Sequence, residues 1–148
     1  MATYPYRRYR VRDSPVTPLS KPISELRFAL VTTGGLRGVD DPPFDRTDLA
    51  GDVSFREIGA ATDLRALVED HKSDAFDHAG VAADPNLVFP LDRFRELAGL
   101  GLIGGLGPRH LSFVGSIVNP RRLIEETAPA AARLLKSDGV DAVLLTPV

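Results

Sequence analysis

A chain of 148 residues with 43% hydrophobic and 26% charged residues has the make-up of one globular domain, of a size that buries ~70% of its unfolded surface. That composition excludes intrinsic disorder, and the apolar runs are far too short for a membrane-crossing helix. The net charge is −2, and the absence of cysteine excludes disulfides, thiolate metal sites and a cysteine nucleophile.

Residues 1–24 carry Tyr4, Tyr6, Tyr9, Arg7, Arg8, Arg10 and Arg12 among Pro5, Pro15, Pro18 and Pro22. Proline at that density breaks helices and central strands, so an extended N-terminal arm is expected, followed by one domain over residues 25–148. Fifteen of the 18 cations are arginine, which with tyrosine favours protein interfaces, so the arm is expected to wrap its own domain or a neighbouring subunit. The acidic body and the lack of a recognised motif argue against nucleic acid. No apolar signal core follows the arginines, and a cytoplasmic location is expected.

Leu26 to Thr32, with Phe28, Ala29, Leu30 and Val31, reads as a strand covered on both faces. It empties into Thr32-Thr33-Gly34-Gly35, whose hydroxyls and free backbone suit either a plain turn or a loop that offers donors to a substrate anion. Asp40, Asp41, Pro42 and Pro43 rule out a following helix, so no helix dipole is expected there. Asp52 to Ile58 alternates as a half-buried strand, and Leu64 to Val68 is ambiguous between strand and helical turn.

His71, Asp74 and His78 would share a face if helical, but Gly80, Asp84 and Pro85 favour a loop with solvated histidines. Zinc would need a further ligand, so no metal site is expected. Pro90 to Leu100 is a predicted helix with Leu91, Phe94, Leu97 and Ala98 inward and Asp92 in its first turn. Gly99-Leu100-Gly101-Leu102-Ile103-Gly104 matches a dinucleotide fingerprint in letters only, because it follows a helix instead of a strand.

His110 stands at a loop-to-strand junction before the expected strand Leu111 to Gly115. It is either a backbone-bonded structural histidine or an acid/base or anion-binding group in a cleft. Asn119 caps a predicted helix with Pro120 first and Gly139 as its stop, and Pro129 should kink or split it. The last strand is the apolar run Val140 to Leu145. Together these elements predict an α/β fold, a mostly parallel sheet with flanking helices in a Rossmann-like three-layer arrangement. Chemistry in such folds sits past the strands' carboxyl ends, so the site is expected to be completed by another chain, by sequence after Val148, or not at all.

Several segments in order strengthen the reading: Thr32-Thr33-Gly34-Gly35, Ser54-Phe55-Arg56-Glu57, Asp84-Pro85-Asn86, Phe89-Pro90-Leu91-Asp92-Arg93, Arg109-His110-Leu111-Ser112-Phe113 with Gly115, and Asp138 to Ala142 through Thr146-Pro147-Val148. From about Leu26 to Val148 the chain resembles the selenoprotein B family of glycine, sarcosine, betaine and D-proline reductases. The resemblance implies reductive carbon–nitrogen cleavage, in which a selenocysteine or cysteine attacks, a second cysteine resolves, and thiol reductants recycle the pair. That pair follows the stretch matching Leu144 to Val148. The thiol or selenol centre is therefore expected from elsewhere, with no cofactor in this chain. A selenocysteine codon read as a stop would produce such an end, and so would a subunit that has lost the nucleophile.

Where the family carries a His-x-His-Tyr-Asp-like stretch, this chain has Ser73-Asp74-Ala75-Phe76-Asp77, a departure that favours the subunit. By the same resemblance Asp77, Asp84, Asn86, His110 and Ser112 still match. His110 and Asp77 are the expected catalytic groups. Thr32, Thr33, Gly34 and Gly35 are expected to hold a carboxylate or similar group, with Asn86 and Ser112 as further hydrogen-bonding contacts. A small amine or amino acid is the expected ligand, and a homologous or identical subunit the expected partner, docked through the arm. The alternative is a non-catalytic structural subunit beside a complete homologue.

Overall fold

The computed structural model describes residues 17–148. The part of the expected arm in residues 1–16 lies outside them, and residues 17–24 run exposed, with Lys21 paired to Asp141 at 2.9 Å.

Strand β1 (Arg27–Thr32) is the centre of the molecule, as its unbroken apolar run requires. Leu30 and Ala29 point to opposite faces and both are fully buried. Along one edge β1 pairs in parallel with the last strand, in register from Phe28 opposite Ala142 to Thr32 opposite Thr146. Its other edge takes two short strands end to end, also parallel, at Gly105–Leu106 and Arg109–Ser112. In chain order the strands are β2 (Leu36–Arg37), β3 (Arg56–Gly59), β4 (Val68–Glu69), β5 (Gly105–Leu106), β6 (Arg109–Ser112) and β7 (Ala142–Thr146). Strand β3 runs antiparallel to β6, and β2 and β4 form a separate antiparallel pair.

The sheet is therefore mixed and the fold α/β. A Rossmann alternation is absent among the described residues, because no α-helix separates β1, β2, β3 and β4. The Gly-, Asp- and Pro-rich stretch 38–52 is unfit for one. Helices α1 (His78–Ala83) and α2 (Leu91–Gly99) follow β4, and α3 (Ala128–Ser137) connects β6 to β7 across β1. Leu30 packs with Ile58, Val81, Phe89 and Leu91 on one face, and Ala29 with Leu111, Phe113, Ala131 and Leu135 on the other. Burying Phe89 completely contributes about 2–3 kcal/mol. None of the helices among the described residues is long and apolar enough to cross a membrane.

Three local expectations shift. The Asp52–Ile58 strand starts only at Arg56, because Asp52 accepts from both the N–H (2.7 Å) and the hydroxyl (2.6 Å) of Ser54 and folds its own backbone back. Leu64–Val68 divides into a 3₁₀ turn, Leu64–Ala66, and the start of β4. The final strand is covered less than its composition suggests: Val143 is 40% and Leu145 66% exposed, because among the described residues β7 is a sheet edge paired only with β1. Pro129 acts as expected. It cannot donate to Glu125, and a π-helical turn at Leu123–Thr127 absorbs the misfit, with Ala128 N–H reaching back to Leu123.

Candidate functional site

The carboxyl ends of β1, β6 and β7 lie side by side, where α/β folds place their ligands. The Thr33 hydroxyl donates to the Val148 carbonyl (3.1 Å) and accepts from its N–H (2.9 Å). Thr32 Oγ1 donates to the Thr146 carbonyl (3.3 Å) and accepts from Gly34 N–H (3.0 Å). Gly35 N–H binds the Phe113 carbonyl at 2.8 Å. The Thr32–Gly35 run is thus a clasp that ties β7 and β6 to β1. Its donors at Thr33, Gly34 and Gly35 are taken by Thr146, Thr32 and Phe113, so the anion-holding surface expected of them is already engaged within the fold.

Beside the clasp lies an open cavity of about 490 Å³. Phe76, Val81, Leu87 and Val88 give it apolar walls, and His71, Ser73, Asp77, Ser116 and Val148 bring polar groups to it. The wall bearing His71 exists because β4 pairs with β2. The Asp70 N–H then donates to the Gly35 carbonyl at 2.9 Å, and the chain passes so close that a Cβ on Gly35 (φ +67°) would lie 3.0 Å from His71 N. Only glycine fits there without strain. Asp70 anchors the approach by accepting from Phe44 N–H (2.9 Å) and Arg46 (2.7 Å). Burial alone would raise its carboxyl, but those donors outweigh burial and hold it below the usual range.

His71 is 6% exposed and stacks on Phe76 with ring centres 4.2 Å apart at 18°. It is not the solvated loop histidine expected from its surroundings, because the β2–β4 pairing carries it inward. Its Nδ1 accepts from Ser73 N–H at 3.2 Å. Burial lowers its pKa, partly opposed by Glu69, which favours the neutral ring, and with Nδ1 accepting from Ser73 the neutral ring carries its hydrogen on Nε2. His78 points away. It pairs with Glu69 at 2.6 Å, which raises its pKa, and meets the edge of Phe76.

Of the residues expected from sequence, Asp77 alone lines this cavity, and it also caps α1 by accepting from Gly80 N–H at 2.9 Å. His110 is fully buried in the core, 5.8 Å from the Phe89 ring centre, with Nδ1 accepting from Leu30 N–H at 3.1 Å. Burial first, and Arg95 after it, lower its pKa to about 4. It lines none of the cavities described, so its position is that of a backbone-bonded core histidine. Ser112, equally buried, accepts from Leu36 N–H at 2.8 Å and joins β6 to β2. Asn86 sits in a different, polar recess, where it bonds Asp84 (2.9 Å) and Asp92 (3.1 Å) and accepts from Asp92 N–H at the start of α2. Ser116 carries no local pattern that marks it as a site residue, and His71 stands out in the sequence only through its spacing with Asp74 and His78, which lacks a further metal ligand.

The model of the glycine/sarcosine/betaine reductase selenoprotein B family matches residues 6–148. The chain belongs to that family. It is 39% identical over 130 residues to the D-proline reductase subunit gamma of Acetoanaerobium sticklandii, an alignment covering 88% of this chain and 52% of that protein. It is 34% identical over 135 residues to the sarcosine reductase complex component B subunit beta of Peptoclostridium acidaminophilum, covering 89% of this chain and 30% of that protein. A glycine reductase complex component B subunit gamma from Symbiobacterium thermophilum is 33% identical over 135 residues, with the same coverage of 89% and 30%. The chain thus spans about half the length of the first of these selenoprotein B relatives and under a third of the other two. No solved structure matches it.

Proposed function

We propose that this selenoprotein B chain forms part of a cytoplasmic hetero-oligomeric reductase of the glycine, sarcosine, betaine and D-proline type, which cleaves a carbon–nitrogen bond reductively. The observation that carries the reading is the meeting of family and geometry. The stretch Leu144–Val148, which the family resemblance sets just before the reactive pair, reaches the wall of the cavity that also holds His71 and Asp77. Reductive cleavage consumes two electrons and delivers a proton to the departing amine. These 148 residues contain no cysteine, so the electrons come from a thiol or selenol pair near Val148 or on a partner chain, which closes to a disulfide or selenenylsulfide.

This chain's own residues would hold the ligand. Asp77 at the rim attracts its amine nitrogen, and Phe76, Val81, Leu87 and Val88 exclude water from its carbon skeleton. The test is reconstitution. The chain, alone and with a cysteine- or selenocysteine-bearing homologous subunit, is supplied with a dithiol reductant and with D-proline, sarcosine, glycine or betaine. Turnover of at least one substrate by the complex and none by the chain alone is expected. Turnover by the chain alone, or failure to associate with the homologue, overturns the proposal.

A second reading, a non-catalytic structural subunit, is favoured by the edge strand β7, whose Val143 and Leu145 are left uncovered by the described residues and offer an apolar surface to a partner. Asp77→Asn separates the two. It depresses turnover of an assembled complex in the first reading and leaves it unchanged in the second.

A further inference from the structure

We infer that His71 and Ser116 are a pair of hydrogen-bonding groups that grip an acceptor oxygen of the ligand, a carboxylate or carbonyl, with His71 donating through Nε2–H. The assignment rests on the cavity being the ligand site proposed above.

Three observations converge on it. The imidazole is locked: Ser73 N–H holds Nδ1 at 3.2 Å and Phe76 stacks on the ring, so neither the tautomer nor the ring plane is free. Its other nitrogen is left open, since Nε2 has no hydrogen-bond partner among the described residues although the residue is only 6% exposed. The third observation is the neighbouring loop. A Cβ on Gly115 would stand 2.9 Å from Nε2 and 3.3 Å from the Val148 carbonyl, so a glycine at 115 keeps the space before Nε2 clear.

Ser116 follows directly and lines the cavity with φ +63°, the one non-glycine residue among those described in the left-handed region. Such a conformation costs on the order of 1–3 kcal/mol and persists only where its surroundings enforce it. The segment just after it is tied down, with the Ala50 carbonyl accepting from both Val118 N–H (2.9 Å) and Asn119 N–H (3.0 Å). Ser116 is an exposed residue on the cavity's wall, and its hydroxyl has no protein partner among the described residues.

The chemistry follows from the two donors. Both are neutral, and burial keeps the ring so, which suits an oxygen acceptor. Asp77 on the same cavity repels an isolated anion and attracts a positive nitrogen. The preferred ligand carries both, as a zwitterionic amino acid or an N-alkylated derivative does.

The test is nitrogen-15 NMR of the imidazoles in the full chain at neutral pH, followed by titration with D-proline, with betaine and with acetate as the anion lacking a cationic nitrogen. His71 is expected to show hydrogen on Nε2, and that resonance to move with D-proline or betaine and not with acetate. His71→Leu and Gly115→Ala are expected to abolish D-proline binding. His71→Gln, whose amide reaches the Nε2 position, retains it within several-fold, and Ser116→Ala weakens it by on the order of tenfold, one hydrogen bond's worth. Ser116→Gly, which relieves the strain and deletes the hydroxyl, weakens binding as much as Ser116→Ala. Hydrogen on Nδ1, an Nε2 signal indifferent to every probe while the assembled complex turns over, or undiminished binding by His71→Leu each overturns the assignment. An Nε2 response to D-proline in a chain whose complexes reduce nothing leaves this assignment standing and removes the reductase reading.

Discussion

Two histidines of this chain are chemically alike and differ in where they stand. His71 and His110 are both buried, both accept a backbone N–H through Nδ1, at 3.2 Å from Ser73 and 3.1 Å from Leu30, and both are pushed toward the neutral form by burial. The free edge of His71 faces Gly115 beside an open cavity, whereas Nε2 of His110 is enclosed in the core without a partner among the described residues. The same side chain thus lines a cavity in one place and is enclosed in the core in the other, and the sheet decides which. Position β6 turns His110 toward Leu30 and Phe89, while the β2–β4 pair delivers His71 to the strand ends.

The contrast breaks most sharply at His110. His110→Ala strands Leu30 N–H without an acceptor and opens a void beneath Phe89, so a loss of about 3–4 kcal/mol in stability is expected by urea denaturation. The corresponding His71→Leu should change stability far less and ligand binding far more. Equal loss of stability at both sites would erase the distinction.

Acidification probes the same residue with a defined sign. The folded-state pKa of His110 is about 4 against an ordinary 6.5, so above 6.5 both folded and unfolded chains are neutral there and its contribution is complete. As pH falls from 6.5 toward 4 the unfolded chain takes up a proton that the folded one refuses, and stability declines by about 3 kcal/mol across that window. His71 adds to the decline in the same direction. His110→Gln, which keeps an acceptor for Leu30 N–H, should flatten the slope between those pH values, and an unchanged slope would place its origin elsewhere.

Gly35→Ala tests the link between the two regions. The substitution meets a left-handed φ of +67° and puts a Cβ 3.0 Å from His71 N, so it should cost about 2 kcal/mol and displace the His71 ring. Weakened D-proline binding beyond that expected from unfolding, measured well below the melting temperature, is the outcome that sharpens the comparison.

What could be read from sequence follows the same division. Leu26–Thr32, Pro90–Leu100 and the final apolar run carry their signal locally, in unbroken or helically spaced hydrophobic residues, and become β1, α2 and β7 with small shifts at their ends. The interruption before Pro129 is legible because a missing N–H is a property of one residue. Asp52–Ile58 was misread because Asp52 spends itself on Ser54, a bond that alternation does not reveal. His110 drew attention from its loop-to-strand junction, but the face on which a β-residue lands is set by the strands beside it. The spacing of His71 with Asp74 and His78 pointed only to a solvated loop: its burial comes from Gly35, Phe76 and Gly115, which only the fold gathers.

The clasp offers the smallest effect and the most local one. Thr33→Val keeps shape and branching while deleting a hydroxyl that donates to the Val148 carbonyl and accepts from its N–H. Val148 remains near solvent, at 50% exposure, so water can replace both bonds and the global cost should be no more than about 1 kcal/mol. The cavity should feel more than the fold does, because Val148 forms part of its wall and the Thr33 N–H bond to Thr146, at 3.3 Å, is left as the nearest tether. Faster amide exchange confined to residues 146–148, with D-proline binding weakened several-fold and the melting temperature nearly unchanged, is the expected pattern. Thr32→Val, whose hydroxyl is fully buried between Thr146 and Gly34, should reverse the proportions and lower stability more than binding.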